Sequence, residues 1–231
     1  MEWVDVPPIP NQGVFFNNSE AIQSYLNYVE HFVTRTNYFT NVKYSEEPAI
    51  LAWEVMNEPR HQNLGDDLSS VTLRAWMDSV GKFIKNLDSN HLISSGIEGH
   101  GKKYHYGGNE GNNFQVIHSS PYIDICTAHL YPQTDWINLS PSETSHLIQQ
   151  WEADSKELGK PFFIGEFNVP KANREIYWKT IFETVESLDI AGDLFWWFEY
   201  DDIDPKYGVT NNDTILKVFK KHSEVMKYKN Q

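Results

Sequence analysis

The chain has 231 residues, enough for one large domain or two small ones, and a formal net charge of −13. So acidic a surface repels phosphate backbones, which argues against nucleic acid as a partner and for a neutral ligand. A single cysteine, Cys126, excludes an internal disulfide and a cysteine-based zinc site.

No apolar run approaches the roughly 20 residues of a membrane span, so no membrane partner is expected. The opening "MEWVDVPPIP" lacks the basic and apolar regions of a signal peptide. After this proline-rich start, residues 19–38 read as a helix with Ser19 as N-cap. A β-like run follows at 50–57, "ILAWEVMN". Residues 71–87 place Leu73, Trp76, Val80, Phe83 and Leu87 at helical spacing. Further β-like runs lie at 91–97, 123–130, 161–167 and 191–198, the second of these around Cys126. Helical patterns at 143–157 and 173–188 alternate with them, and 213–227 closes the chain with Asp213 as cap. The apolar runs are nearly continuous, as in strands covered on both faces.

Strands recurring every roughly 30–40 residues predict βα units and a parallel sheet. A doubly wound sheet would carry a glycine-rich phosphate turn; "GHGKK" at 99–103 has neither the spacing nor the Ser/Thr of one. A (β/α)8 TIM barrel puts its chemistry at the carboxyl ends of several strands. Polar residues collect at those ends here: Asn57, Glu58, Glu98, His129, Tyr131, Glu166, Trp196 and Glu199. Five strands are legible where a barrel needs eight. The expectation is one partial catalytic domain over 1–231, its strands being the fourth to the eighth, completed by a preceding segment or a second chain.

Glu58 and Glu166 each end an apolar run, and a carboxylate there is costly unless paired or used. Two such carboxyls on facing strand ends suit glycoside hydrolysis, in which one protonates the leaving oxygen and the other attacks or activates water. From the residues alone, a salt-bridged structural role stands equally open. His129 and Tyr131 share one strand face. Trp196 and Trp197 are expected on opposite faces. Trp136, in a loop, is a candidate for stacking on a sugar, and Glu98 and His100 for contact with a leaving sugar. Glu54 reads as an interior structural carboxylate. His100, His105 and Glu110 lack metal-ligand spacing, and no metal or other cofactor is expected.

"VTRTNYFTNVKYSEEPAILAWEVMNEPR", "IKNLDSNHLISSGIEG", "TAHLYPQTDW" and "KPFFIGEFNVPK", in that order, resemble the retaining glycoside hydrolases of family 5. The likeness is nearest to their endo-β-1,4-mannanase branch. It implies a (β/α)8 fold and endo-hydrolysis of β-1,4-mannosidic bonds, with a mannan-type polysaccharide or oligosaccharide as partner. A β-glucanase of the same family, or a carbohydrate-binding fragment with impaired catalysis, is the alternative. By the same resemblance Glu58 is the general acid/base and Glu166 the nucleophile. Asn57 would bond the sugar 2-hydroxyl, Tyr131 would hold the nucleophile, His129 would sit near the acid/base, and Trp196 would floor the cleavage point. Family members also carry an arginine on the second strand, close to the nucleophile. The family suggests secretion, although this chain carries no recognisable leader.

Overall fold

A computed structural model describes residues 12–61, 66–108, 111–201 and 203–229, with backbone alone for 12 and 66–69. The chain divides into two compact units, Met1–Cys126 and Thr127–Gln231.

In the first unit α1 (Gln12–Phe15) leads into α2 (Ser19–Thr34). The cap of α2 is Asn18, one residue before the expected Ser19: its side-chain oxygen accepts from Ala21 N at 2.9 Å. Both residue types make good caps, so the pattern could not separate the neighbours. The helix also stops four residues short of the expected end. Arg35 turns extended, and Thr36 pairs with Lys43 in an antiparallel bridge. Asn37 is drawn off into a turn of its own, accepting from the backbone N–H groups of Phe39 and Thr40.

Strand β1 (Ala52–Glu54) runs parallel to β2 (Leu92–Ser94), with Trp53 opposite Ile93. Between them α3 (Asp66–Leu87) buries Leu73, Trp76, Met77, Val80 and Ile84 along one stripe. Each such side chain contributes about 1.5–3 kcal/mol on leaving water. Phe83 and Leu87 pack only partly against that cluster. The short helix α4 (Phe114–His118) is capped by Asn113, which accepts from Val116 N.

Trp53 is fixed twice, by packing and by donating Nε1–H to Asp88 at 2.6 Å. His91 stands on the same carboxylate at 2.6 Å, and its other nitrogen faces the Glu47 carbonyl at 2.9 Å. Two acceptors favour the imidazolium. Burial opposes the charge of His91, yet the bonds to Asp88 and Glu47 raise its pKa overall.

In the second unit β3 (Cys126–Leu130), β4 (Phe162–Phe167) and β5 (Gly192–Phe195) form a sheet in that order, with β4 and β5 parallel. Cys126, the last residue of the first unit, opens β3 as a buried cysteine outside any disulfide. Helices α5 (Pro141–Glu157), α6 (Arg174–Ser187) and α7 (Ile215–Lys229) alternate with the strands. A capping box starts α5: Ser140 accepts from Glu143 N while Glu143 accepts from Ser140 N, with Pro141 in the first turn. The core is aromatic, with Trp151, Phe162, Phe167 and Trp178 fully buried.

The strands are shorter than the apolar runs, and not all are covered on both faces. Leu51 is 71% exposed beside β1, and Leu194 on β5 is 58% exposed. Among the described residues β1 has a ladder with β2 alone, and β5 with β4 alone. Both are edges, and Leu51 and Leu194 lack the cover that continuous hydrophobicity predicts.

Candidate active site

The first unit supplies a carboxylate on a forced corner. Val55 N bonds Ser94 O at 3.0 Å and Glu58 N bonds Gly96 O at 2.8 Å, so the backbone stays tied to the β2 extension beyond the regular ladder. Glu58 itself has φ 45°. A non-glycine residue in the left-handed region costs about 1–2 kcal/mol, and such residues cluster at functional sites. Pro59 is buried behind it, and Asn57 is exposed in front. Phe15, Phe16, Met56 and residues 57–60 line a hollow of about 230 Å³.

Arg60 is the feature that sequence reasoning missed. Its Nη2 lies 3.3 Å from Glu58 Oε2, and it also donates to Glu98 through Nη2 and through Nε, the latter at 3.0 Å. Glu98 is only 4% exposed. It accepts from Asn112 Nδ2 at 2.8 Å, and His100 Nε2 stands 3.7 Å away. Burial pushes the Glu98 carboxyl upward, and His100 and Arg60 pull it back without cancelling the rise. Glu98 thus supports Arg60 from below. Asn112 comes from the Gly/Asn-rich stretch 105–113, which reads from sequence as a cleft-side loop; Glu110 lies outside the described residues. The adjacency of Arg60 to the Asn-Glu-Pro corner was the one available clue.

The second unit supplies the other carboxylate. Tyr131 Oη donates to Glu166 Oε2 at 2.6 Å. His129 Nδ1 lies 3.7 Å from the same oxygen, with the imidazole almost wholly buried. Within its own unit His129 thus stands beside Glu166. The ring packs close over Gly165, where a Cβ would meet the imidazole at 3.3 Å.

Trp196 follows β5 and is 49% exposed. Its carbonyl accepts from Asn168 Nδ2, which also donates to Tyr207 O at 2.8 Å. The peptide joining Trp196 to Trp197 is cis. The two rings are 5.5 Å apart at 76°, in contact rather than on opposite faces as alternation predicts. The strand has ended at Phe195, so its period of two no longer applies. Trp136 projects from a small hairpin closed by the Gln133–Asn138 bridge and is more than half exposed. Glu54, on β1, accepts from the Ser94 hydroxyl at 3.4 Å.

A strand-end carboxylate holding a Tyr hydroxyl with a His beside it, on parallel βα units, is what the class of (β/α)8 glycoside hydrolases presents. The model of the GH family 5 beta-mannosidase-like group matches residues 9–200. The chain belongs to that family. Among curated relatives, mannan endo-1,4-beta-mannosidase 3 of Arabidopsis thaliana is 33% identical over 214 residues, 79% of this chain and 50% of that protein. Mannan endo-1,4-beta-mannosidase 1 of Solanum lycopersicum is 30% identical over 210 residues, covering 81% and 52%. An endo-beta-1,4-mannanase structure from Thermotoga petrophila superposes with a TM-score of 0.82 at 27% identity, covering 95% of this chain and 53% of that one. One from Rhizomucor miehei gives 0.79 at 29%, covering 92% and 63%. The chain spans about half the length of the curated relatives it matches.

Proposed function

We propose that this chain carries the catalytic carboxylates of a retaining endo-β-1,4-mannanase, both units belonging to one catalytic domain. Glu166 attacks the anomeric carbon to form a glycosyl-enzyme, while Glu58 gives its proton to the departing oxygen. Glu58 then takes a proton from the water that releases the sugar. Asn57 bonds the 2-hydroxyl, and Trp196 floors the ring being cleaved. Retention requires about 5–5.5 Å between the two carboxyl groups in the assembled site. The observation that carries the reading is the Tyr131 hydroxyl on Glu166, which is what a nucleophile needs and what a solvated surface carboxylate lacks. The names of the relatives supply the substrate class.

The uncovered edges of β1 and β5 support a further part of the reading. Full activity depends on added βα units, either from sequence beyond residues 1–231 or from a second chain. The test is release of reducing ends from β-1,4-mannan and from a cellulose-type glucan. The chain would be assayed alone and together with the first three βα units of a relative. The expected result is mannan hydrolysis on complementation, abolished by Glu166→Gln. No release from mannan in either arm rejects the reading, and release from the glucan alone replaces it with a glucanase.

A further inference from the structure

The loop between α2 and β1 carries two aromatic side chains that the fold does not use. Tyr38 is 88% exposed and Phe39 is 91% exposed. Single exposed apolar residues are ordinary, but two adjacent rings left almost wholly in water are not. Their centroids are 5.3 Å apart with planes at 84°, so together they form a corner, one ring a floor and the other a wall.

The corner stands on a rigid support. Asn37 N bonds Val42 O at 2.8 Å, and Asn41 N bonds Asn37 O at 2.9 Å. The Asn37 side chain accepts from Phe39 N at 2.9 Å and Thr40 N at 3.3 Å, and the Thr40 hydroxyl accepts from Val42 N at 3.4 Å. Asn41 takes the left-handed φ of 55° that closes the turn. The Thr36–Lys43 bridge seals its base, and below it the Arg35 guanidinium covers the Tyr44 ring at 5.0 Å. Rings held this way have lost their backbone freedom before any ligand arrives, which lowers the entropic cost of binding.

The residues within the turn, Asn37, Thr40 and Asn41, are polar and uncharged. Flat apolar faces edged by amides and a hydroxyl suit a pyranose, which presents a face of C–H groups rimmed by hydroxyls. Anionic ligands are disfavoured by the net charge of −13. We infer that Tyr38 and Phe39 form a secondary carbohydrate-binding site, separate from the catalytic carboxylates, that holds a β-1,4-mannan chain. This inference rests on the mannanase reading above for the identity of the sugar.

The test is affinity electrophoresis of the full chain as Glu166→Gln, in gels containing soluble β-1,4-mannan or, as a control, dextran. The parent is expected to be retarded by mannan and not by dextran. Adding Tyr38→Ala and Phe39→Ala should weaken the apparent affinity roughly tenfold, as for removal of an aromatic anchor. The melting transition should not change, because both side chains are in solvent. Trp196→Ala in the same background reports any share due to the cleft. A change of less than twofold on removing the corner overturns the inference, as does a parent that mannan fails to retard. Reducing-end release by the complemented wild type separates the two failures. If mannan is cleaved while retardation ignores the corner, only the secondary site falls; if mannan is neither cleaved nor bound, the mannanase reading falls with it.

Discussion

Arg60 turns two of its nitrogens onto the buried carboxylate of Glu98 while keeping one within 3.3 Å of Glu58. One guanidinium therefore serves two acids, and the share each receives decides how readily Glu58 can hold a proton. In Glu98→Gln the positive charge is no longer divided, and the repulsion from a second carboxylate is gone. Ionised Glu58 gains on both counts. In the complemented enzyme the alkaline limb of kcat/KM should move to lower pH, because a close positive charge favours the ionised form. An unmoved limb, measured on mannan across pH 4 to 9, would remove Arg60 from any electrostatic role at Glu58.

Tyr131→Phe deletes the hydroxyl on Glu166 and little else. A hydrogen bond to a charged group contributes about 1.5–3 kcal/mol, so kcat should fall roughly tenfold to a hundredfold. The melting temperature should stay close to that of the parent, since the phenyl ring keeps the packing. Equal kcat in the two proteins would mean that the bond does not stabilise the attacking form.

The second unit contains a pH-sensitive joint. His222 on α7 faces Glu186 at 2.8 Å and Asp193 at 2.7 Å and stacks on Phe182. Lys229, farther along α7, donates to the carbonyls of Val185 and Leu188. Burial opposes charging His222, but the carboxylates on either side raise its pKa overall. A raised histidine contributes stability that is fully present below its unfolded pKa, about 6.5, and is lost as pH rises through the folded value. Urea melts between pH 5.5 and 8.5 should show stability falling with pH, with a slope of at most about 1.4 kcal/mol per unit from this one proton. His222→Gln should flatten that dependence. If the variant keeps the slope, the effect originates elsewhere.

Gly96 is the backbone contact that shapes the Glu58 corner. Its φ is 74°, and a Cβ there would meet Met56 O at 2.3 Å and Glu54 Cγ at 2.7 Å. Gly96→Ala should destabilise the protein by about 2 kcal/mol or more, since strain and collision add. Chemical denaturation measures it directly. A loss under about 0.5 kcal/mol would show that the corner relaxes and is not held by the β2 extension.

The sequence made some of this visible and concealed the rest for identifiable reasons. Leu73, Trp76 and Val80 announced α3 because a helix repeats its buried face every three to four residues. Glu58 and Glu166 stood out because charge at the end of an apolar run demands an explanation. Strand lengths were overread. Apolar residues persist on both sides of β1, at Ile50 and Leu51 before Ala52 and at Val55 and Met56 after Glu54, where the regular ladder has stopped, and hydrophobicity does not record where a ladder ends. Arg60 escaped because its partner Glu98 is 38 residues away and no local pattern joins them. The contact between Trp196 and Trp197 escaped because alternation was extended beyond the strand that justifies it.

Asn168 holds the carbonyls of Trp196 and Tyr207 with one amide nitrogen. Arg174 grips the same stretch, donating to the carbonyls of Lys206, Tyr207 and Gly208. Trp196 and the 204–208 turn are therefore mechanically one piece, fastened from beneath by side chains that never need to meet a ligand. A lineage could retune the tilt of that indole by editing the turn alone, leaving both acids and the indole itself untouched. Variation in substrate preference should accordingly be sought in a segment that no inventory of sugar-contacting groups would include.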